Sequence, residues 1–178
     1  IAIIVIHSDA IFSNKMIGIL REISEKARTL SGVQRVFSLT EAKEPVGRKD
    51  SVSFEYIIPR RELDAGSLRE LKERVLHREL TTGTLISQDG RTTVVILELE
   101  SIPSAESKRR ILNKVESQTR KIVGEEATLY FSGAPFVEAE INALTQRDDK
   151  VFTPILVGLI FLVGIVTIKR LSLTMLSL

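Results

Sequence analysis

The chain has 178 residues, 43% of them apolar and 27% charged, with 25 basic against 23 acidic side chains and no cysteine. Its length supports one ordinary domain core, and the lack of cysteine excludes disulfides, thiol catalysis and cysteine-ligated metals. Every acidic side chain, and every basic one except Lys169 and Arg170, precedes Val151. That part is formally neutral and has no clustered basic face, so no nucleic-acid partner is expected.

Ile1 to His7 is rich in β-branched residues and reads as a buried strand. Ser13 supplies an N-cap, with Phe12 and Ile17 at staple spacing around it. Met16, Leu20, Ile23, Ala27 and Leu30 share one face of the helix that follows, and Gly32 is placed to end it. Val33 to Leu39 returns to strand character. From Thr40 to Gly83 the pattern is less regular and reads as an insertion. It holds a charged loop over Glu41 to Asp50, a strand over Val52 to Ile58 and a helix with Leu68, Leu71, Val75 and Leu80 on its apolar side. Arg60, Arg61, Arg69, Lys72 and Arg74 give this segment a basic character suited to a neighbouring subunit or a membrane surface.

Thr84 to Ser87 and Thr92 to Leu99 flank Asp89-Gly90, which predicts a hairpin with a type I′ turn. Pro103-Ser104 opens a helix with Ile111, Val115, Gln118 and Ile122 on one side, and Ala127 to Phe131 is the last strand. With the insertion set aside, the order strand, helix, strand, strand, helix, strand predicts an α+β fold of ferredoxin-like split β-α-β type. Ser132-Gly133-Ala134-Pro135 then leads into another helix, with Pro135 in its first turn and Glu138 and Glu140 complementing the dipole. Phe136, Ile141 and Leu144 are expected to dock its first turns on the domain.

Val151 to Ile168 contains no ionisable side chain, and thirteen of its eighteen residues are Leu, Ile, Val or Phe. As a helix it would rise about 27 Å, close to the thickness of a bilayer core. It is therefore predicted to cross a membrane. Lys169 and Arg170 mark the cytoplasmic end and place the preceding residues outside, although Arg147 and Lys150 on the other flank weaken the contrast. An apolar run resumes at Leu171, so the chain reads as a piece of a longer one.

No enzymatic constellation emerges. His7, Ser8 and Asp9 alternate across a strand and cannot line up as a triad. His77 lacks a partner at ligand spacing, and Glu138 and Glu140 diverge on a helix. No catalytic, cofactor-binding or metal site is read. Arg147, Asp148, Asp149 and Lys150 form a candidate cluster for coupling domain motion to the membrane, weighed against a solvated boundary cluster. Gly133, Pro135 and Pro154 are candidate hinges.

Three segments, Ile1 to Thr40, Gly83 to Glu100 and Tyr130 to Leu178, carry a family resemblance. They contain G-V-x-x-V-x-S-L from Gly32, L-x-S-x-D-G-x-x-T from Leu85 and G-x-P-x-x-x-A-E-x-N from Gly133. In this order and spacing the chain resembles the resistance-nodulation-division transporter superfamily, nearest the branch of mycobacterial membrane protein large and hopanoid-exporter-like proteins. The resemblance implies an extracytoplasmic porter domain over 1–147 with an insertion at about 41–83. It makes 148–168 the second transmembrane helix and 169–178 a cytoplasmic turn into the third. It further implies proton-driven export of lipids or other hydrophobic compounds across a cytoplasmic membrane, with relay acids in a helix outside this chain. The implied partners are a hydrophobic or lipid-like substrate, membrane lipids and the remaining transmembrane helices, and a homo-oligomer stays open. A membrane-anchored ligand-binding or sensory module, or an accessory factor in protein export, is the second reading of the same architecture.

Overall fold

The computed structural model describes residues 1–48, 51–78, 81–100, 104–138, 141, 145 and 150–161. The chain divides into two units, Ile1–Val137 and Glu138–Leu178. The first is α+β.

Its centre is β1 (Ala2–His7), in which Ala2, Ile4 and Ile6 are fully buried while Ile3 and Val5 are half-buried. This period of two is what a strand with one covered face imposes. On one side β1 pairs antiparallel with β5 (Thr92–Leu99), from Ala2 opposite Leu97 to His7 opposite Thr92. On the other it pairs antiparallel with β6 (Thr128–Ser132), from Ile3 opposite Ser132 to His7 opposite Thr128. β2 (Val33–Ser38) adds to the far edge of β5, with a register shift between Val33 and Arg35. The sheet order is therefore β2-β5-β1-β6. Since each neighbouring pair is antiparallel, β1 runs parallel to β2, and β5 parallel to β6.

Two crossover helices join those parallel pairs. α1 (Asn14–Arg28) starts where the Ser13 hydroxyl accepts the Met16 N–H at 3.2 Å, and it buries Met16, Leu20, Ile23 and Ala27 as its spacing requires. It ends earlier than its glycine signal suggested. The Thr29 hydroxyl and amide both return to the Lys26 carbonyl, at 2.8 and 3.1 Å. Gly32 instead sits in the next turn, at φ 94°, where Val33 N–H bonds the Leu30 carbonyl. α3 (Ala105–Val123) is capped by Ser104, but its buried face is Leu112, Val115, Thr119 and Val123. Ile111, Gln118 and Ile122, expected inside, are half-buried. The rotation turns on Thr119, whose hydroxyl donates to the Val115 carbonyl at 2.8 Å and so enters the core satisfied. An apolar count could not assign it there.

Two further expectations are corrected. The stretch expected as a charged loop contains a strand, β3 (Lys43–Arg48), paired antiparallel with β4 (Ser51–Tyr56) from Lys43 opposite Tyr56 to Arg48 opposite Ser51. This ribbon is separate from the main sheet, and Lys43, Pro45 and Gly47 are exposed on it. Charge and proline are tolerated in a strand with unpaired edges. The turn at Asp89-Gly90 is present, but only Gly90 has positive φ, at 71°. The loop closes Ser87–Gly90 through Gly90 N–H to the Ser87 carbonyl at 3.0 Å, and its first arm contributes an isolated bridge, Ile86 to Thr93, rather than a strand. The Asp89 carboxylate explains this: it accepts the Ser87 hydroxyl and the Arg91 N–H, while Ser87 Oγ accepts the Thr92 N–H. Side chains thus close a four-residue loop that needs only one left-handed residue.

The insertion continues through buried Ile57 and Ile58 to α2 (Ala65–Leu76), capped by Asp64, with Leu71 and Val75 buried and Leu68 half-buried. Leu80, expected on the same side, lies outside the described residues. Asn14 holds the insertion to α1, donating to the Leu63 carbonyl at 2.7 Å and accepting its N–H at 3.1 Å.

Beneath the sheet Ser24, Ser38 and Thr40, all at most 2% exposed, form a hydroxyl chain: Ser24 Oγ lies 2.8 Å from both the Leu20 carbonyl and Ser38 Oγ, which lies 3.1 Å from Thr40 Oγ1. Ser38→Ala removes the middle link and is expected to cost about 1 to 3 kcal/mol, read as a lower urea midpoint at unchanged slope. A second expectation concerns pH. The bonds from Ser87 and then Arg91 hold the Asp89 carboxyl below its ordinary range. Its stabilisation is therefore complete above that range and is lost as pH falls through the lowered value. Amide exchange at Gly90 and Thr92 should accelerate selectively below about pH 4, and Asp89→Asn should abolish the selectivity.

Candidate functional site

β6 delivers Gly133 against the start of β1. Its φ is 104°, and a Cβ there would lie 2.5 Å from the Ile1 carbonyl oxygen and 3.2 Å from Ala2 Cα. No side chain fits, so glycine is required on both counts. Residues 134–138 are helical directly after it, with Phe136 N–H on the Gly133 carbonyl at 3.0 Å. Pro135 is buried in this first turn, where its missing N–H leaves no ladder bond unmade. Phe136 is half-buried and meets the Phe131 ring at 5.6 Å, while the Arg120 guanidinium covers Phe131 at 5.2 Å. Two of the three candidate hinge residues thus occupy one tight, packed corner at the end of the first unit.

The third, Pro154, lies in the second unit within the helical stretch 150–161. Positions 151–161 are exposed throughout, with large apolar side chains from 45% at Val157 to 69% at Phe161. Among the described residues no helix is long and apolar enough to cross a membrane. Residues 162–168 of the predicted crossing lie outside them, as do Arg147, Asp148 and Asp149 of the coupling cluster; Lys150 is described, helical and exposed. Of the expected docking residues other than Phe136, Ile141 is 57% exposed and Leu144 lies outside the described residues.

The residues weighed for catalysis engage separate partners. His7 Nδ1 lies 3.0 Å from Thr92 Oγ1, Ser8 Oγ donates to the Glu126 carbonyl at 3.2 Å, and Asp9 pairs with Arg91 at 3.3 Å. His77 Nδ1 lies 2.8 Å from the Glu73 carbonyl. Glu140 lies outside the described residues. Of the basic residues offered to a neighbour or a membrane, Arg60 and Arg74 are exposed, Arg60 stacking on Tyr56 at 4.5 Å and Arg74 donating to the Ile57 carbonyl at 3.2 Å.

Sequence reasoning missed a cavity of about 430 Å³ inside the insertion. Its lining includes Ala42, Lys43, Glu44 and Pro45 around β3, Ile57 after β4, and Arg78, Thr81 and Leu85 beyond α2. Apolar carbon forms most of the wall. Glu44 and Arg78 form an ion pair at it, 19% and 33% exposed, and the Lys43 ammonium sits 4.8 Å from the Tyr56 ring centre. Thr81 is buried, its hydroxyl 2.9 Å from the Val75 carbonyl. Beside the cavity Glu41, 9% exposed, pairs with both Arg28 and Arg60, and its bond holds Arg28 above the ordinary arginine value. Nothing in the periodicity links Glu44 to a cation 34 positions away, so the site had no sequence signal.

A family model described as MMPL family matches residues 12–178, nearly the whole chain. No curated protein matches it. At the corner described above, Gly133→Ala combines a disfavoured φ with a backbone clash. It is expected to lower the melting temperature by several degrees, through about 1 to 2 kcal/mol or more. An unchanged melting temperature would show that the corner opens freely.

Proposed function

Because the chain belongs to the MMPL family over residues 12–178, we propose that it forms part of a resistance-nodulation-division-type permease exporting lipids or other hydrophobic compounds under a proton gradient. In this reading residues 1–147 are the extracytoplasmic porter domain, 148–168 cross the cytoplasmic membrane, and 169–178 turn into the next crossing. The order β2-β5-β1-β6, with two parallel pairs interleaved and a crossover helix for each, supports a ferredoxin-like porter.

The observation that carries the membrane assignment is the stretch 151–161, helical, uncharged and exposed on all sides. Exposed apolar surface is unfavourable in water by roughly 25 cal/mol per Å². A helix apolar all round finds no such penalty in lipid. These eleven positions rise about 16 Å, and the sequence continues the apolar run through Ile168, which brings the rise to that of a bilayer core. The work is conformational rather than covalent. Gly133, Pro135 and Pro154 act as hinge points, and Arg147, Asp148, Asp149 and Lys150 pass motion of the porter domain to the membrane helices. Partners on this reading are the hydrophobic substrate, the surrounding lipids, the other helices of the permease and, in a homo-oligomer, further copies.

The test uses the whole permease in proteoliposomes, with a fluorescent lipid as cargo. Outward movement should depend on an imposed pH gradient and stop when a protonophore collapses it. Gradient-independent movement would remove the proton-driven reading. Orientation has its own check, since the chain holds no cysteine. A thiol placed by Gln88→Cys should react with an impermeant maleimide on intact cells, and one placed by Ser172→Cys should react only after permeabilisation.

A further inference from the structure

The ribbon β3-β4 has two unlike faces. Directly opposed residues share a face, so the register sets Lys43 with Tyr56, Pro45 with Phe54 and Gly47 with Val52 on one side. It sets Glu44 with Glu55 and Val46 with Ser53 on the other. That second side is the one that engages the rest of the insertion, since Glu44 pairs with Arg78 and Glu44, Val46 and Ser53 are half-buried. The first side looks outward. Lys43, Pro45 and Gly47 are exposed, Val52 and Phe54 are exposed to 65% and 68%, and a Cβ on Gly47 would meet nothing within 4 Å. A ribbon of two strands has no means of covering such a face by itself.

Charge follows the same division. Of the paired residues 43–48 and 51–56, the two carboxylates, Glu44 and Glu55, stand on the second side. The apolar side carries cations at its base, where the Lys43 ammonium lies 4.8 Å and the Arg60 guanidinium 4.5 Å from the Tyr56 ring centre, and Arg60 also donates to the Tyr56 hydroxyl at 3.2 Å. Glu41, which Arg60 approaches at 3.5 Å, is shared with Arg28 and only 9% exposed, so it adds little negative charge to that surface. Along the ribbon the order is thus aliphatic and phenyl side chains, then a tyrosine, then two basic groups. A bilayer offers the matching order of acyl chain, interface and phosphate. A protein partner suits this face less well, because lysine is depleted from the cores of protein interfaces, whereas at a lipid surface its stem stays on apolar ground while the ammonium reaches the phosphates.

We propose that the apolar side of β3-β4 docks on an anionic lipid surface, with Val52 and Phe54 in the acyl boundary and Lys43 and Arg60 at the headgroup phosphates. The lipid is here a surface that holds the ribbon, with no part as cargo. The proposal rests on the membrane placement of the chain argued above, since the ribbon can dock only on a bilayer that the chain reaches.

The chain holds no tryptophan, so single tryptophans report its surroundings position by position. Val52→Trp, Phe54→Trp, Glu55→Trp and Leu156→Trp are made separately in the full chain and placed in nanodiscs of phosphatidylcholine and phosphatidylglycerol, with brominated acyl chains as quencher. Positions 52 and 54 should emit to the blue and be quenched by bromine, while position 55 stays open to aqueous acrylamide, as a strand with period two requires. Lys43→Gln should weaken docking about fivefold, the ratio expected for one basic residue at an anionic surface. Discs of phosphatidylcholine alone should weaken it in the same direction. Aqueous emission at 52 and 54 would overturn the proposal. A blue shift that grows with the number of chains per disc, without bromine quenching, would overturn it in favour of a second copy on this face. Equal bromine quenching at 52, 54 and 55 would overturn it too, since a ribbon docked on one face must alternate. Leu156→Trp keeps the two ideas apart: quenching at 156 without quenching at 52 and 54 removes the docking and leaves the membrane assignment, and no quenching at 156 removes the assignment on which the docking rests.

Discussion

The first unit depends on the register of β1. This strand pairs on both sides, with β5 and with β6, so the positions of Ala2, Ile4 and Ile6 fix which face of both neighbours is buried. Val95 and Leu97 follow because they stand opposite Ile4 and Ala2, and Val36 follows because it stands opposite Leu97. A slip of one residue would turn the buried isoleucines outward and set Ile3 and Val5 against the helices. The covered face also accepts polar atoms where they are paired, as in the chain from Ser24 through Ser38 to Thr40.

The insertion is held to this frame in a different way. Asn14 binds both polar groups of the Leu63 peptide, Arg21 donates to the Pro59 carbonyl at 3.2 Å, and Glu41 collects Arg28 and Arg60. Ile57 and Ile58 supply buried apolar surface beside these bonds. Attachment through side chains leaves the ribbon β3-β4 outside the main sheet, and the space between that ribbon and the segment after α2 becomes the cavity. A scaffold fixed by ladders thus carries an element fastened by side chains, and that element lines the cavity, a division common to binding proteins.

Legibility in the sequence followed the physics of each element. β1, β2, α1 and β6 were readable because burial on one face imposes a period, and Ser13 announced its helix because a cap needs a hydroxyl. The β3 strand was not readable, because a ribbon exposed on its edges needs no apolar alternation and tolerates Lys43, Glu44 and Pro45. The face of α3 was misjudged by a fraction of a turn, because Thr119 satisfies its hydroxyl within its own helix and enters the core. The turn at Asp89-Gly90 was found by composition but not by type, since the type depended on where one carboxylate went. Gly133 and Pro135 were singled out as candidate hinges, and the structure puts them in one packed corner, whereas the Glu44–Arg78 pair depends on long-range folding and left no local trace.

The corner at Gly133 also sets how the sheet bears load at that end. Ile1 and Gly133 are in van der Waals contact range, so the first residues of β1 and the last of β6 meet at one end of the antiparallel pair. Pulled apart there, β1 and β6 would part like a zipper, one rung at a time from Ile3 and Ser132 inward, rather than resist together as strands sheared along their length. The pairing therefore fails progressively when these two ends are separated, whereas a load along the strands would meet every rung of the ladder together.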